Sequence, residues 1–216
     1  MIRSAPATRF PASLAILLLA AALFTAALLA APPLLSAQNS PAERVESGEV
    51  PSPQGNLLHY RIRLLPLASF PILPAPVLAQ LSRRQCMIPQ SFEAQQPENV
   101  IHGAFRAPGS SDWAALCSSS GSTTLYVFFA GLLDAPFSLR TQPDTAWLGA
   151  EPGSSVYGSA WGISSLSLAG LRASPQLRGP ATLDHDAIDD AHLEHADTLR
   201  YFQAGKWLIL NPPGGN

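Results

Sequence analysis

The densest chemistry in this chain lies in DHDAIDDAHLEHA, residues 184–196, which sets five carboxylates and three imidazoles into thirteen positions. Such a run suits metal ligation or acid/base work, and spacing discriminates between the options. A calcium loop of the EF-hand type needs oxygen donors at positions 1, 3 and 5, glycine at 6 and glutamate at 12. Counted from Asp184, position 3 is Asp186, but positions 5, 6 and 12 are Ile188, Asp189 and His195. What survives is a looser calcium-like set, Asp184, Asp186 and Asp190, completed by a backbone carbonyl. Zinc helices of the H-E-x-x-H and H-x-x-E-H kinds place two imidazoles one turn apart with a glutamate base. His192-Leu193-Glu194-His195 reads H-x-E-H, one residue short. His192 and His195 can still approach one ion at i, i+3 on a helix, whereas His185 would lie about 10 Å away. The plainer reading is a capped helical turn leading into a C-terminal hairpin. Asp184 or Asp186 caps it, the acids complement its dipole, and Ile188 and Leu193 turn inward.

Other catalytic frames are incomplete. Gly158-Ser159-Ala160-Trp161-Gly162 has the outline of G-x-S-x-G with alanine at the nucleophile position. Gly205-Lys206 lacks the earlier glycine of a phosphate loop. Trp147 and Trp161 lie in a Gly/Ser-rich region and are candidates for an exposed ligand surface, whereas Trp113 and Trp207 sit in strand-like segments and read as core. The two cysteines, Cys86 and Cys117, have no CxxC partner. In an exported chain they read as one disulfide, with a reactive or metal-binding thiol as the competing use. Closing that loop stabilises by about 3–4 kcal/mol on the chain-entropy model.

The N-terminus bears on which compartment these groups meet. The first 37 residues hold no acid and two bases, Arg3 and Arg9, and residues 14–31 are an uncharged apolar run of 18. Basic, apolar and then small residues in that order make a secretory signal peptide ending near Ala37. The length of the run and Leu35 at the −3 position leave a signal anchor through residues 14–31 as the alternative. Either way the charge asymmetry exports everything beyond it, to the periplasm or the extracellular space. Beyond residue 37 there are 11 basic and 15 acidic residues, about −4, with Lys206 the single lysine. That is no footprint for nucleic acid, and membrane association is expected only through the N-terminal segment.

The elements that position the candidate groups read as follows. Residues 38–56, rich in Pro, Ser and Glu, suggest a disordered linker ahead of one exported domain over 57–213. Leu58, Tyr60, Ile62 and Leu64 alternate with His59, Arg61 and Arg63, a half-buried strand. Its basic face reads as solvated sheet, with an anionic partner as its other use. Four prolines disfavour regular structure over 66–76, and a short helix over 77–85 delivers Cys86. VIHGAFR (100–106), DWAALCS (112–118) and TTLYVFF (123–129) form three strands of an antiparallel meander. Residues 134–180 are not assigned to elements. DTLRYFQ (197–203) and KWLILN (206–211), joined at Ala204-Gly205, form a hairpin with Trp207, Ile209, Leu199 and Phe202 facing the core.

Within the meander, Gly103, Phe105, Asp112 and Ala114 follow the G-x-F, polar turn, D-x-A rhythm. On them residues 103–131 resemble one unit of the FG-GAP or VCBS type. That family repeats the unit into a propeller and carries a D-x-D-x-D-G calcium loop. This chain has one copy and no such loop there, so the resemblance implies only an antiparallel meander. The expectation is an α+β fold, mainly antiparallel β, with one or two short helices. Its expected role is non-catalytic binding of an envelope or extracellular ligand, without a cofactor unless calcium. The alternative is a metal-dependent hydrolase using residues 184–195.

Overall fold

The alternation at residues 58–64 builds strand β2 (Leu57–Leu65), whose Ile62 and Leu64 are buried while Arg61 stays in solvent. Residues 42–150, 153–173, 182–193 and 197–210 are described in the computed structural model of the chain. The expected signal or anchor segment lies outside them. Among the described residues no helix is long and apolar enough to cross a membrane.

β1 (Arg44–Pro51) is paired along its whole length with β2, from Arg44 opposite Leu64 to Pro51 opposite Leu57. The linker expected over 38–56 is therefore corrected, and the folded body starts before residue 57. The hairpin turns at residues 52–56. There the Ser52 hydroxyl accepts from the backbone N–H groups of Gln54 and Asn56, and Gly55 supplies a φ of 84°. β1 escapes a hydropathy reading because it is an edge strand. Its side chains are charged or small and exposed, as edges usually are, and they pair with basic neighbours: Glu46 with Arg44 and Glu49 with His59.

After a short 3-10 turn at Leu67–Ser69, helix α1 (Ala75–Arg83) starts with proline in its first turn and buries Val77 and Leu81. Its chain continues through Cys86 into β3 (Ile88–Gln90), which pairs with β2. The expected meander follows as β4 (Val100–Gly103), β5 (Asp112–Ser119) and β6 (Ser122–Phe128), extended by β7 (Phe137–Pro143). The unassigned region holds β8 (Leu148–Ala150), β9 (Tyr157–Ser159), β10 (Trp161–Leu166) and α2 (Leu168–Ala173). β8 and β9 extend the first sheet, where β9 runs parallel to β2 at Tyr60–Tyr157. β10 opens a third sheet with β11 (Ala187–His192), β12 (Thr198–Gln203) and β13 (Lys206–Ile209).

The predicted hairpin is β12–β13. Ala204 and Gly205 both take positive φ, 49° and 79°, the signature of the tight turn that matches strand twist. Phe202 and Trp207 face the core between sheets, but Leu199 faces the other way, toward α2. Ile209 is corrected: it lies on an edge strand and is 48% exposed. The helical turn expected over 184–196 is also corrected. Residues 187–192 form β11, paired on both sides, with β10 and β12. Residues 194–196 lie outside the described residues.

Three apolar clusters follow from this layering. Ala114, Leu116, Leu125 and Val127 of the second sheet meet Trp161, Ile163 and Ile188 of the third. The opposite face of β5 and β6 packs under α1 with Leu65, Val77, Leu81 and Ile88. Leu171 of α2 covers Ala187, Leu199 and Tyr201. The expected disulfide, Cys86–Cys117, lies within the second of these clusters and ties the end of α1 to β5. A disulfide of this kind belongs to an oxidising, non-cytoplasmic environment.

Candidate functional site

Asp184, Asp186 and Asp190, expected to share one ion, take three different sets of partners. Asp186 accepts from the backbone N–H of Leu168 at 3.0 Å and of Ala104 at 3.0 Å. It therefore caps α2 and pins the end of β4, a capping role exercised on a helix elsewhere in the chain. Asp190 points into the space between the second and third sheets, its side chain fully enclosed. Asp184 stays at the surface beside His185 and Tyr201. Among the described residues, no three His, Cys, Asp or Glu side chains gather around a point that would hold a metal ion.

The alternation of β11 explains the buried carboxylate. Ile188 and Asp190 fall on one face, so the strand that buries the isoleucine must bury the aspartate too. Arg200, opposite Ile188 on β12, reaches Asp190 Oδ2 with Nε at 2.7 Å and Nη2 at 2.6 Å. Trp161 donates its indole N–H to Oδ1 at 2.7 Å. Arg140 of β7 stands 3.7 Å from Oδ2. Burial pulls the Arg140 guanidinium below the ordinary arginine value, and Arg200 adds to this while Asp190 opposes it. Arg140 also lies over the Trp147 ring at 4.6 Å, and Trp147 contacts the rings of Trp161 at 4.9 Å and His192 at 5.0 Å. The two tryptophans expected to form an exposed surface are thus brought together, but inside the fold. Trp161 is 3% exposed and Trp147 is half-buried. Their region reads as exposed only because its Gly and Ser residues hide a buried strand. Trp113 and Trp207, expected as core, are half-buried against two of the clusters.

A second constellation opens to solvent. His185 and Tyr201 stack with ring centroids 4.2 Å apart. The Asp184 backbone N–H donates to the Tyr201 hydroxyl at 3.0 Å, and that hydroxyl donates to Asp184 Oδ1 at 3.1 Å. His185 Nδ1 lies 2.6 Å from the same carboxylate oxygen. An ionised carboxylate only accepts, so Nδ1 donates to it. Nε2 is buried and has no hydrogen-bond partner among the described residues. The hydrogen bond from His185, with that from Tyr201, holds the Asp184 carboxyl below its usual range, while burial raises the Tyr201 phenol.

These groups border a cleft of about 340 Å3 between residues 106–108, 182–185 and 202–205. Arg106 and Pro108 form one wall, Asp184 and His185 another, and Phe202 is part of the lining. Phe202 belongs to an aromatic cluster with Phe129, Phe137 and Trp207, in which ring centroids lie 4.8–6.0 Å apart, and Arg106 sits over Phe129. Sequence reasoning singled out Asp184 and the tight turn but missed Arg106, Tyr201 and Arg200. Arg106 reads as the end of a strand, and only the strand register shows which neighbours Arg200 and Tyr201 meet on the two sides of β12. Among known proteins, no family model matches the chain, and no curated protein or solved structure matches it. Functional inference rests on this geometry.

Proposed function

We propose that the chain is an exported, non-catalytic binding domain of the cell envelope, and that it holds its ligand in the cleft bounded by Arg106, His185 and Phe202. The observation that carries this reading is the pairing of apolar and polar groups around one concave space: an aromatic face, a guanidinium and an oriented Asp184–His185 pair. Ligand sites are built this way, mostly apolar with a few placed polar groups. The chemistry that fits is an amphipathic small molecule, its ring or apolar face on Phe202 and Pro108 and its polar end toward Arg106. The competing use of residues 184–195, a metal-dependent hydrolase, draws no support from the calcium-like set, because Asp184, Asp186 and Asp190 each take different partners. Phenylacetate carries both features and serves as the probe. Titrated into the isotopically labelled exported part, it is expected to shift amide resonances of residues 106–108, 182–185 and 202–205, and the Arg106→Ala variant is expected to abolish those shifts. Shifts elsewhere, or shifts that persist in the variant, overturn the assignment.

A further inference from the structure

The basic face of β2 acquires a cavity that its sequence does not reveal. Arg61 and Arg63 project from one face of the strand. With Gln90, Ser91, Gln95 and Ser159 they line a cavity of about 310 Å3 on the first sheet, away from the cleft described above. Arg63 is half-buried and held in place, its Nε donating to Glu43 at 3.0 Å and its Nη1 to the Ala94 carbonyl at 3.3 Å. Arg61 is different. Among the described residues it is the one arginine whose side chain has no ion pair, hydrogen bond or ring contact.

Its surroundings are rich in donors. Ser91 and Ser159 are 4% and 5% exposed. The Ser159 oxygen accepts from the Trp161 backbone N–H, leaving its hydroxyl proton to give, and the Ser91 hydroxyl has no partner among the described residues. No Asp or Glu is among the lining residues, and the nearby Glu98 carboxylate is taken up by the Ser91 backbone N–H at 2.8 Å. With Arg63 neutralised by Glu43, the charge of Arg61 is left over. A guanidinium without a carboxylate partner, lining one cavity with two buried hydroxyls, suits an oxyanion, because guanidinium geometry matches carboxylate and phosphate oxygens in pairs. We propose that this cavity binds a small molecule through an oxyanion group, with Arg61 as its principal charged contact and Ser91 and Ser159 as hydroxyl donors. A cavity of this volume takes more than the bare ion, so the oxyanion is one end of a larger ligand.

Inorganic phosphate and succinate, titrated separately by calorimetry into the disulfide-bonded exported part, test this and separate the two sources of such a group. Saturable binding of phosphate alone identifies a phosphorylated ligand. Binding of succinate alone identifies a carboxylate. Both support the site if Arg61→Gln weakens binding by about tenfold or more and Ser91→Ala weakens it to a smaller degree. Arg44→Gln, which removes a β1 arginine paired with Glu46, is expected to leave binding unchanged. Arg61 has no internal partner, so the Arg61→Gln variant should melt with the parent, which a parallel thermal scan checks. Absence of saturable binding by either probe, or equal losses in Arg61→Gln and Arg44→Gln, overturns the proposal. Neither outcome touches the Arg106 cleft, whose probe and variant are different.

Discussion

With its carboxylate fully enclosed, Asp190 has Arg200 on one oxygen and the Trp161 indole on the other. Removing one member of such a pair leaves a buried charge without compensation, which costs about 3–5 kcal/mol. Asp190→Ala, which strands Arg200, should lower stability by that order in urea denaturation, and Arg200→Met by less, because Arg140 stays 3.7 Å from the carboxylate. The double variant Asp190→Leu/Arg200→Met should lie closer to the parent than either single change, because it removes both desolvated charges together. Its neighbour Asp189 presents the opposite problem. Burial first, then the charges of Asp197 and Asp190, raise its carboxyl from 3.8 to about 6, against a hydrogen bond from Ser164. A carboxyl raised in the fold holds its proton more tightly there than in the unfolded chain. Its contribution to stability is therefore favourable below 3.8 and declines as pH rises from about 4 to about 6. Asp189→Asn should remove that decline. The variant should gain about 1–2 kcal/mol over the parent at pH 7.5 and little at pH 4, read as the difference between denaturation midpoints at the two pH values.

Among the elements, the β12–β13 hairpin shows a local preference at odds with its residue. Ala204 holds a φ of 49°, a region that asparagine adopts at lower cost than alanine. Ala204→Asn should raise stability by about 0.5–1 kcal/mol, measured by thermal melting, and a loss would show that the turn is not the one described. This hairpin, β2, the meander and α1 were legible because burial on one face imprints a period of two or 3.6 on the chain. β1 was not legible. It buries little, so its eight residues carry no apolar alternation, and its pairing comes from β2. β11 was misread for a different reason. Its inward face carries Asp190, which looks solvated until the register of β12 supplies Arg200 and β10 supplies Trp161. A buried ion pair is a property of two strands, and neither strand shows it alone. The same limit hid the site: Arg106, His185 and Phe202 come from three separated segments and share no motif.

In the molecule as a whole, Cys86–Cys117 joins the end of α1 to the meander, where packing and one backbone bridge also hold them together. The bond crosslinks the end of α1 to the middle of the meander across 31 residues, and beside it Met87 and Ser118 exchange backbone hydrogen bonds at 3.0 and 2.8 Å. Crosslinks of that span restrict the unfolded chain and stabilise by about 3–4 kcal/mol on the chain-entropy model. The Cys86→Ser/Cys117→Ser variant should lose about that much, and the loss should not be uniform. The cluster under α1 contains both sulfurs, whereas the cluster between the second and third sheets contains neither. Amide exchange should therefore accelerate over 75–90 in the variant, while β10 to β12, held by the inter-sheet core and the Asp190–Arg200 pair, keep their protection. Uniform acceleration would mean that both clusters open as one unit, and an unchanged urea midpoint would mean that packing and the Met87–Ser118 bridge hold the end of α1 to β5 without the bond. The expected pattern bears on the two proposed ligand sites. The Arg106 cleft, built largely from the third sheet and its loops, should survive reduction. The Arg61 cavity, which borrows Gln90 and Ser91 from β3 and the chain just beyond it, should lose its probe together with the disulfide.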